Sequence, residues 1–156
     1  METLKRILEK HPFLAGLEPG YIELLVGCAS NMVFKPEQFL FREGEEANSF
    51  FFIRGGKVSV ETFIPEKGPI ASRTLGEGEI LGWSWLVPPY HWHFDARAIE
   101  LTRVIALDGK CLREKLEQDH DLGYEIMKRF ALIIAERLEA TRLQLLDIYG
   151  VDKKKS

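Results

Sequence analysis

The chain has 156 residues, 46% of them hydrophobic and 29% charged, with a formal net charge of -3. That length suits one domain, or one domain with an extension, and the apolar fraction excludes a disordered tail protein. No apolar run approaches the ~20 residues that cross a bilayer, and the charged, amphipathic start METLKRILEK excludes a secretory signal. The mild acidity gives no general attraction to nucleic acid. Cys28 and Cys111 are far apart and form no C-x-x-C, so neither a disulfide framework nor an iron–sulfur site is expected. Cys28 reads as core. These features describe a soluble, reduced, cytoplasmic domain.

Residues 2–30 read as helical, through Leu4, Ile7 and Leu8, a break at His11–Pro12, and a second pattern over Pro19–Ala29. The period then changes. Val33 and Phe34 begin a strand that stops at Lys35–Pro36, and Phe39–Arg42 resumes it before a polar turn over Glu43–Asn48. Phe50–Arg54 is an apolar run of strand length closed by Gly55–Gly56. The alternation of Val58, Val60 and Thr62 follows, so the two runs predict a hairpin about the glycines. Turns at Pro65–Pro69 and Gly76–Gly78 bracket a strand over Ala71–Leu75, and Ala96–Leu107 is the last strand region. Short strands at this spacing, punctuated by Gly and Pro, predict a barrel or jelly roll over residues 31–109.

The remaining third is helical. Lys110–Gln118 predicts a short helix, and Asp119 or Asp121 caps a long one ending at Gly150. Within it Met127, Ala131, Ile134, Leu138, Thr141, Leu145 and Ile148 alternate spacings of 4 and 3, a heptad seam. A second stripe of Ile126, Phe130 and Ile133 occupies only the first half. The pattern predicts a homodimer through residues 121–149, its alternative being one amphipathic helix lying across its own domain. Residues 151–156 form a basic, solvated tail.

This order of elements resembles the cyclic nucleotide-binding domain of the catabolite activator protein (Crp/Fnr) family. The resemblance is carried by HPFLAGL at residues 11–17, FLFREGE at 39–45, FFFIRGGKVSV at 50–60, GEILG at 78–82, and ARAIE at 96–100 running on to Ala106–Leu107. It implies a double-stranded β-helix with a long C-terminal helix, and a regulatory, non-enzymatic module that binds cyclic AMP or cyclic GMP. Family members that regulate transcription carry a helix-turn-helix domain after the long helix. Only six residues follow Gly150, so DNA binding by this chain alone is not expected.

In nucleotide-binding members a Gly–Glu pair opens a short helix toward the cyclic phosphate, and an Arg–Ser or Arg–Thr pair binds that phosphate from the strand side. Gly82 matches the cassette glycine, but Trp83 stands at the Glu position, Trp92 at the Arg position and His93 at the Ser position. Arg97 lies five residues beyond the Arg position, an odd offset that turns it to the other face of a strand. No Arg or Lys occurs in 82–96. All three tryptophans, Trp83, Trp85 and Trp92, fall here with Ser84, Tyr90 and Phe94, and Pro88–Pro89 stiffens the turn. Three readings fit: a filled pocket, a pocket rebuilt for a flat or apolar ligand, or an aromatic surface for a protein partner. The resemblance also places Thr141, with Arg142 after it, where members reach the purine across the dimer.

A metal reading starts from His91 and His93, two apart and thus on one face of a strand. Glu100 follows His93 by seven, longer than in cupins, and the later His120 lies between helices. Two ligands do not fix a metal, so none is expected. His93 is better suited to hydrogen-bond or pair with a ligand, and Asp95 reads either as its support or as an ordinary turn carboxylate. Ser84 lacks nucleophile-elbow glycines and neither cysteine has a neighbouring His in sequence, so no enzymatic triad is expected.

Overall fold

A computed structural model describes residues 3–150, so the basic tail lies outside the described residues. The chain through Asp119 forms one compact unit and the chain from His120 a second. In the first unit, helix α1 (Leu4–Lys10) starts at Thr3, whose hydroxyl accepts the Arg6 N–H at 3.3 Å, and stops at His11, which Pro12 holds extended. A 3-10 turn, Pro12–Leu14, leads to α2 (Pro19–Val26), with proline in its first turn.

Eight strands follow: β1 (Ala29–Phe34), β2 (Phe39–Phe41), β3 (Ser49–Gly55), β4 (Lys57–Ile64), β5 (Gly68–Gly76), β6 (Ile80–Leu81), β7 (Asp95–Ala98) and β8 (Thr102–Asp108). They form two antiparallel four-stranded sheets, ordered β1-β8-β3-β6 and β2-β7-β4-β5. This is the jelly roll that the strand spacing predicts. Strand β1 begins earlier than expected. Its Ser30 and Asn31 carry no strand signal, but pairing with Ala106 and Ile105 of β8 sets the segment.

The glycine-centred hairpin is corrected. β3 and β4 lie in different sheets, and the chain crosses between them at Gly55–Gly56. Gly56 has φ +98°, and a Cβ there would stand 2.5 Å from both the Leu101 carbonyl and the Thr102 Oγ1, so only glycine fits. The hairpin is instead β4–β5, closed by the Lys67 N–H on the Ile64 carbonyl at 3.0 Å. Likewise Ala96–Leu107 is two strands in two sheets, β7 and β8, rather than one region.

The run Phe50–Ile53 is buried throughout because both faces of β3 are covered. Phe50 and Phe52 meet Phe13, His11 and Trp85 on one face, whereas Phe51 meets Phe34 and Phe41 on the other. Helix α3 (Gly109–Gln118) follows β8, with the Asp108 carboxylate accepting the Cys111 N–H at 2.8 Å. A further correction concerns Cys28 and Cys111, which are joined in a disulfide across 83 residues of sequence. Sequence distance hid the pair; the adjacent strands β1 and β8 bring it together.

The second unit is α4 (His120–Ile148), with Asp121 in its first turn. Its buried residues are Leu122, Ile126 and Phe130, while the seam residues Met127, Ala131, Ile134, Leu138, Thr141, Leu145 and Ile148 are exposed.

Candidate functional site

Strand β6 leads into residues 82–94 and β7 leads out. No helix forms between them. Turns take its place, closed by the Leu86 N–H on Trp83 O at 3.0 Å and the Tyr90 N–H on Val87 O at 2.9 Å. The outgoing arm is strapped to residues 44–47. Gly44 donates to Trp92 O at 2.8 Å, Trp92 to Glu45 O at 2.9 Å, and Ala47 to Tyr90 O at 2.7 Å.

These bonds fix Trp92, which is 3% exposed. Its indole lies on Phe41 with ring centres 3.7 Å apart and planes 8° from parallel, and Phe94 tilts against both at 5.5 and 6.5 Å. Trp83 reaches Phe94 at 6.5 Å. The far edge of the Trp92 ring rests on Gly82. A Cβ there would stand 2.6 and 2.8 Å from ring carbons, and the residue has φ +97°. Gly82 is thus required by its backbone and by the ring above it.

Gly82, Trp83, Trp92 and Phe94 therefore come together, but Trp85 does not join them. It is fully buried beside Phe50, on the face of β3 opposite Phe51, with its indole N–H donated to Gly82 O at 3.1 Å. Ser84 is buried next to it. The helical segment at α3 abuts Trp85 directly, since a Cβ on Gly109 would stand 2.9 Å from the Trp85 Cβ.

Sequence reasoning missed Arg113. From α3 its guanidinium donates to the Trp85 carbonyl and lies 4.5 Å from the centre of the Tyr90 ring. A basic group does meet the cassette, therefore, but it holds the loop's own backbone. Twenty-eight residues separate the partners, and nothing local in the sequence marks them.

Arg97 is committed elsewhere. Its Nε donates to both Glu61 oxygens at 3.2 Å, its Nη2 to Glu61 at 2.7 Å, and its Nη1 to Glu37. The Arg97 hydrogen bonds hold the buried Glu61 carboxyl below its usual range. Of the two readings of Asp95, its contacts match the turn carboxylate: it accepts the Glu43 N–H at 2.7 Å and lies 3.7 Å from Arg42 Nε. His93 is exposed, and His91 Nδ1 sits 2.8 Å from Pro89 O. Among the described residues no group of three His, Cys, Asp or Glu is arranged to hold a metal ion. On α4 the Thr141 hydroxyl donates to Arg137 O at 2.8 Å, and Arg142 grips Glu139 at 2.8 and 3.1 Å.

Beside Trp92 lies a cleft of about 480 Å³. Leu40, Phe41, Phe51 and Trp92 supply its apolar wall, and Glu45, Glu46, Asn48 and Ser49 its polar rim. Among the described residues no basic side chain lines it.

Residues 31–119 match the cyclic nucleotide-binding domain family, and the chain belongs to it. The chain is 22% identical over 149 residues to the CRP-like cAMP-activated global transcriptional regulator of Mycobacterium tuberculosis, covering 96% of this chain and 65% of that protein. It thus spans under two thirds of that relative's length. Two solved structures share its fold. One is a cyclic nucleotide-binding domain from Methylobacillus flagellatus, with TM-score 0.78 and 19% identity, covering 92% of this chain and 81% of that one. The other is the catabolite activator protein of Thermus thermophilus, with TM-score 0.70 and 21% identity, covering 89% and 63%. Among the described residues no helix is long and apolar enough to cross a membrane.

Proposed function

We propose that this chain is a regulatory, non-catalytic sensor module whose ligand is a flat ring system lacking a cyclic phosphate. One observation supports the reading: Trp92, which the family resemblance places at the phosphate arginine, is buried and stacked on Phe41 with its edge on the cassette glycine. An indole offers the phosphate neither charge nor paired donors, and the nearby cleft presents two glutamates. Anionic phosphate next to those carboxylates meets repulsion rather than attraction. An aromatic wall with acceptors at its rim suits a neutral or cationic ring that donates hydrogen bonds.

Output follows the family pattern of paired long helices. The α4 seam is a regular heptad stripe, exposed in the single chain, and it pairs with the same stripe of a second copy. Ligand binding then alters how the two helices meet and what a partner protein encounters.

Tryptophan emission during titration with adenosine and with cyclic AMP tests the ligand reading, because the two share a ring system and differ in the phosphate. Adenosine is expected to perturb the emission at the lower concentration. Tighter binding of cyclic AMP would overturn the proposal.

A further inference from the structure

The disulfide joins α3 two residues ahead of Arg113, which holds the cassette, and backbone pairing brings its two cysteines together. Ala29 of β1 is paired with Leu107 of β8, and the Asp108 N–H donates to the Cys28 carbonyl at 2.8 Å. These backbone bonds involve no sulfur. They set the Cys28 and Cys111 Cα atoms 5.8 Å apart, within the range a disulfide spans. Reduction therefore leaves two thiols facing each other, ready to close again.

The bond is also reachable. A cleft of about 560 Å³ opens beside it, lined by Gly27, Cys28, Ala29, Asp108, Lys110, Cys111 and Glu114. The two sulfurs are unequal in it. Cys28 is 7% exposed, whereas Cys111 is half-buried in the first turn of α3, beside Lys110, Asp108 and Glu114 of the cleft, so an oxidant entering the cleft reaches Cys111 first.

We infer that Cys28 and Cys111 form a reversible oxidation site for low-molecular-weight disulfides of the glutathione class, with Cys111 attacking and Cys28 resolving. The Cys111 thiolate attacks one sulfur of the oxidant, forming a mixed disulfide and expelling one thiolate. Cys28 gives its proton to water and attacks the Cys111 sulfur, expelling the second. Two protein thiols become one disulfide, and the oxidant becomes two thiols. The consequence reaches the cassette because α3 carries both groups: Cys111 at the bridge and, two residues on, Arg113 on the Trp85 carbonyl and the Tyr90 ring. Oxidation ties down the helix that anchors the aromatic loop.

The test incubates the folded chain in graded mixtures of reduced and oxidised glutathione, then quenches with acid, alkylates free thiols and weighs the product. Wild type is expected to pass reversibly between two alkylated cysteines and none, without crosslinked chains, while tryptophan emission shifts in step. Cys28→Ser is expected to hold one glutathione at Cys111, and Cys111→Ser to take up none. Circular dichroism confirms that each variant is folded, and the wild-type titration stands alone if one is not. Cysteines that stay alkylatable at every ratio would overturn the proposal, as would glutathione landing on Cys28. So would a bridge that millimolar dithiothreitol leaves closed in the folded chain, since that is a permanent crosslink.

Discussion

Replacing Trp92 with alanine removes a ring that is 3% exposed, stacks on Phe41 at 3.7 Å and covers Gly82. A tryptophan buries roughly 150–250 Å², which at about 25 cal/mol per Å² is about 4–6 kcal/mol for the whole side chain. Alanine retains a small part of that, and the Phe41 stack adds about 1 kcal/mol. A net loss of about 3–5 kcal/mol is expected, the range typical of Trp→Ala in a core. For a chain of this size, that lowers Tm by about 6–20 °C, at roughly 2–4 °C per kcal/mol. Urea unfolding followed by circular dichroism measures it directly. A change below about 1 kcal/mol would refute the reasoning, because Trp92 would then be a loosely held side chain able to swing aside for a phosphate.

Other outcomes follow from the same contacts. Arg97→Ala leaves the buried Glu61 without its main partner and is expected to cost about 1–3 kcal/mol at neutral pH. Because Arg97 lowers the Glu61 pKa, its support exists above the unfolded value of about 4.5 and fades as pH falls through the folded value, so wild type and variant should converge in acid. His11 is buried, accepts the Phe13 N–H at Nδ1 and has its pKa pushed down to about 4 by burial. The unfolded chain therefore binds a proton first, and stability should fall between about pH 6.5 and pH 4 by at most about 1.4 kcal/mol per pH unit. His11→Asn keeps an acceptor for Phe13 and should remove that component, as acid-dependent urea midpoints would reveal. Wild type is expected to sediment as a dimer and Leu138→Glu, which puts a charge in the α4 seam, as a monomer with the β-sheet spectrum unchanged.

The jelly roll was legible because alternation and Gly–Pro punctuation are local signals. Sheet membership was not. Gly55–Gly56 reads locally as a two-residue hairpin, and only the approach of Leu101 and Thr102 to Gly56 shows a crossing between sheets. The aromatic cluster was visible as composition, yet its division was hidden. Trp85 and Trp92 lie seven residues apart and end on opposite faces of β3, because the loop between them turns back through Val87–Tyr90. Arg113 and the Cys28–Cys111 bridge depend on contacts across 28 and 83 residues, a range at which periodicity carries no information.

The central claim is that this family member has exchanged its phosphate site for an aromatic one, and calorimetric titration of the purified protein with cyclic AMP and cyclic GMP tests it most directly. The account predicts no saturable heat from either nucleotide up to millimolar concentration, with tryptophan emission unchanged at concentrations where a neutral ring perturbs it. Saturable micromolar binding of either nucleotide would contradict it, because the Trp92–Phe41 stack would then have to open and admit the phosphate.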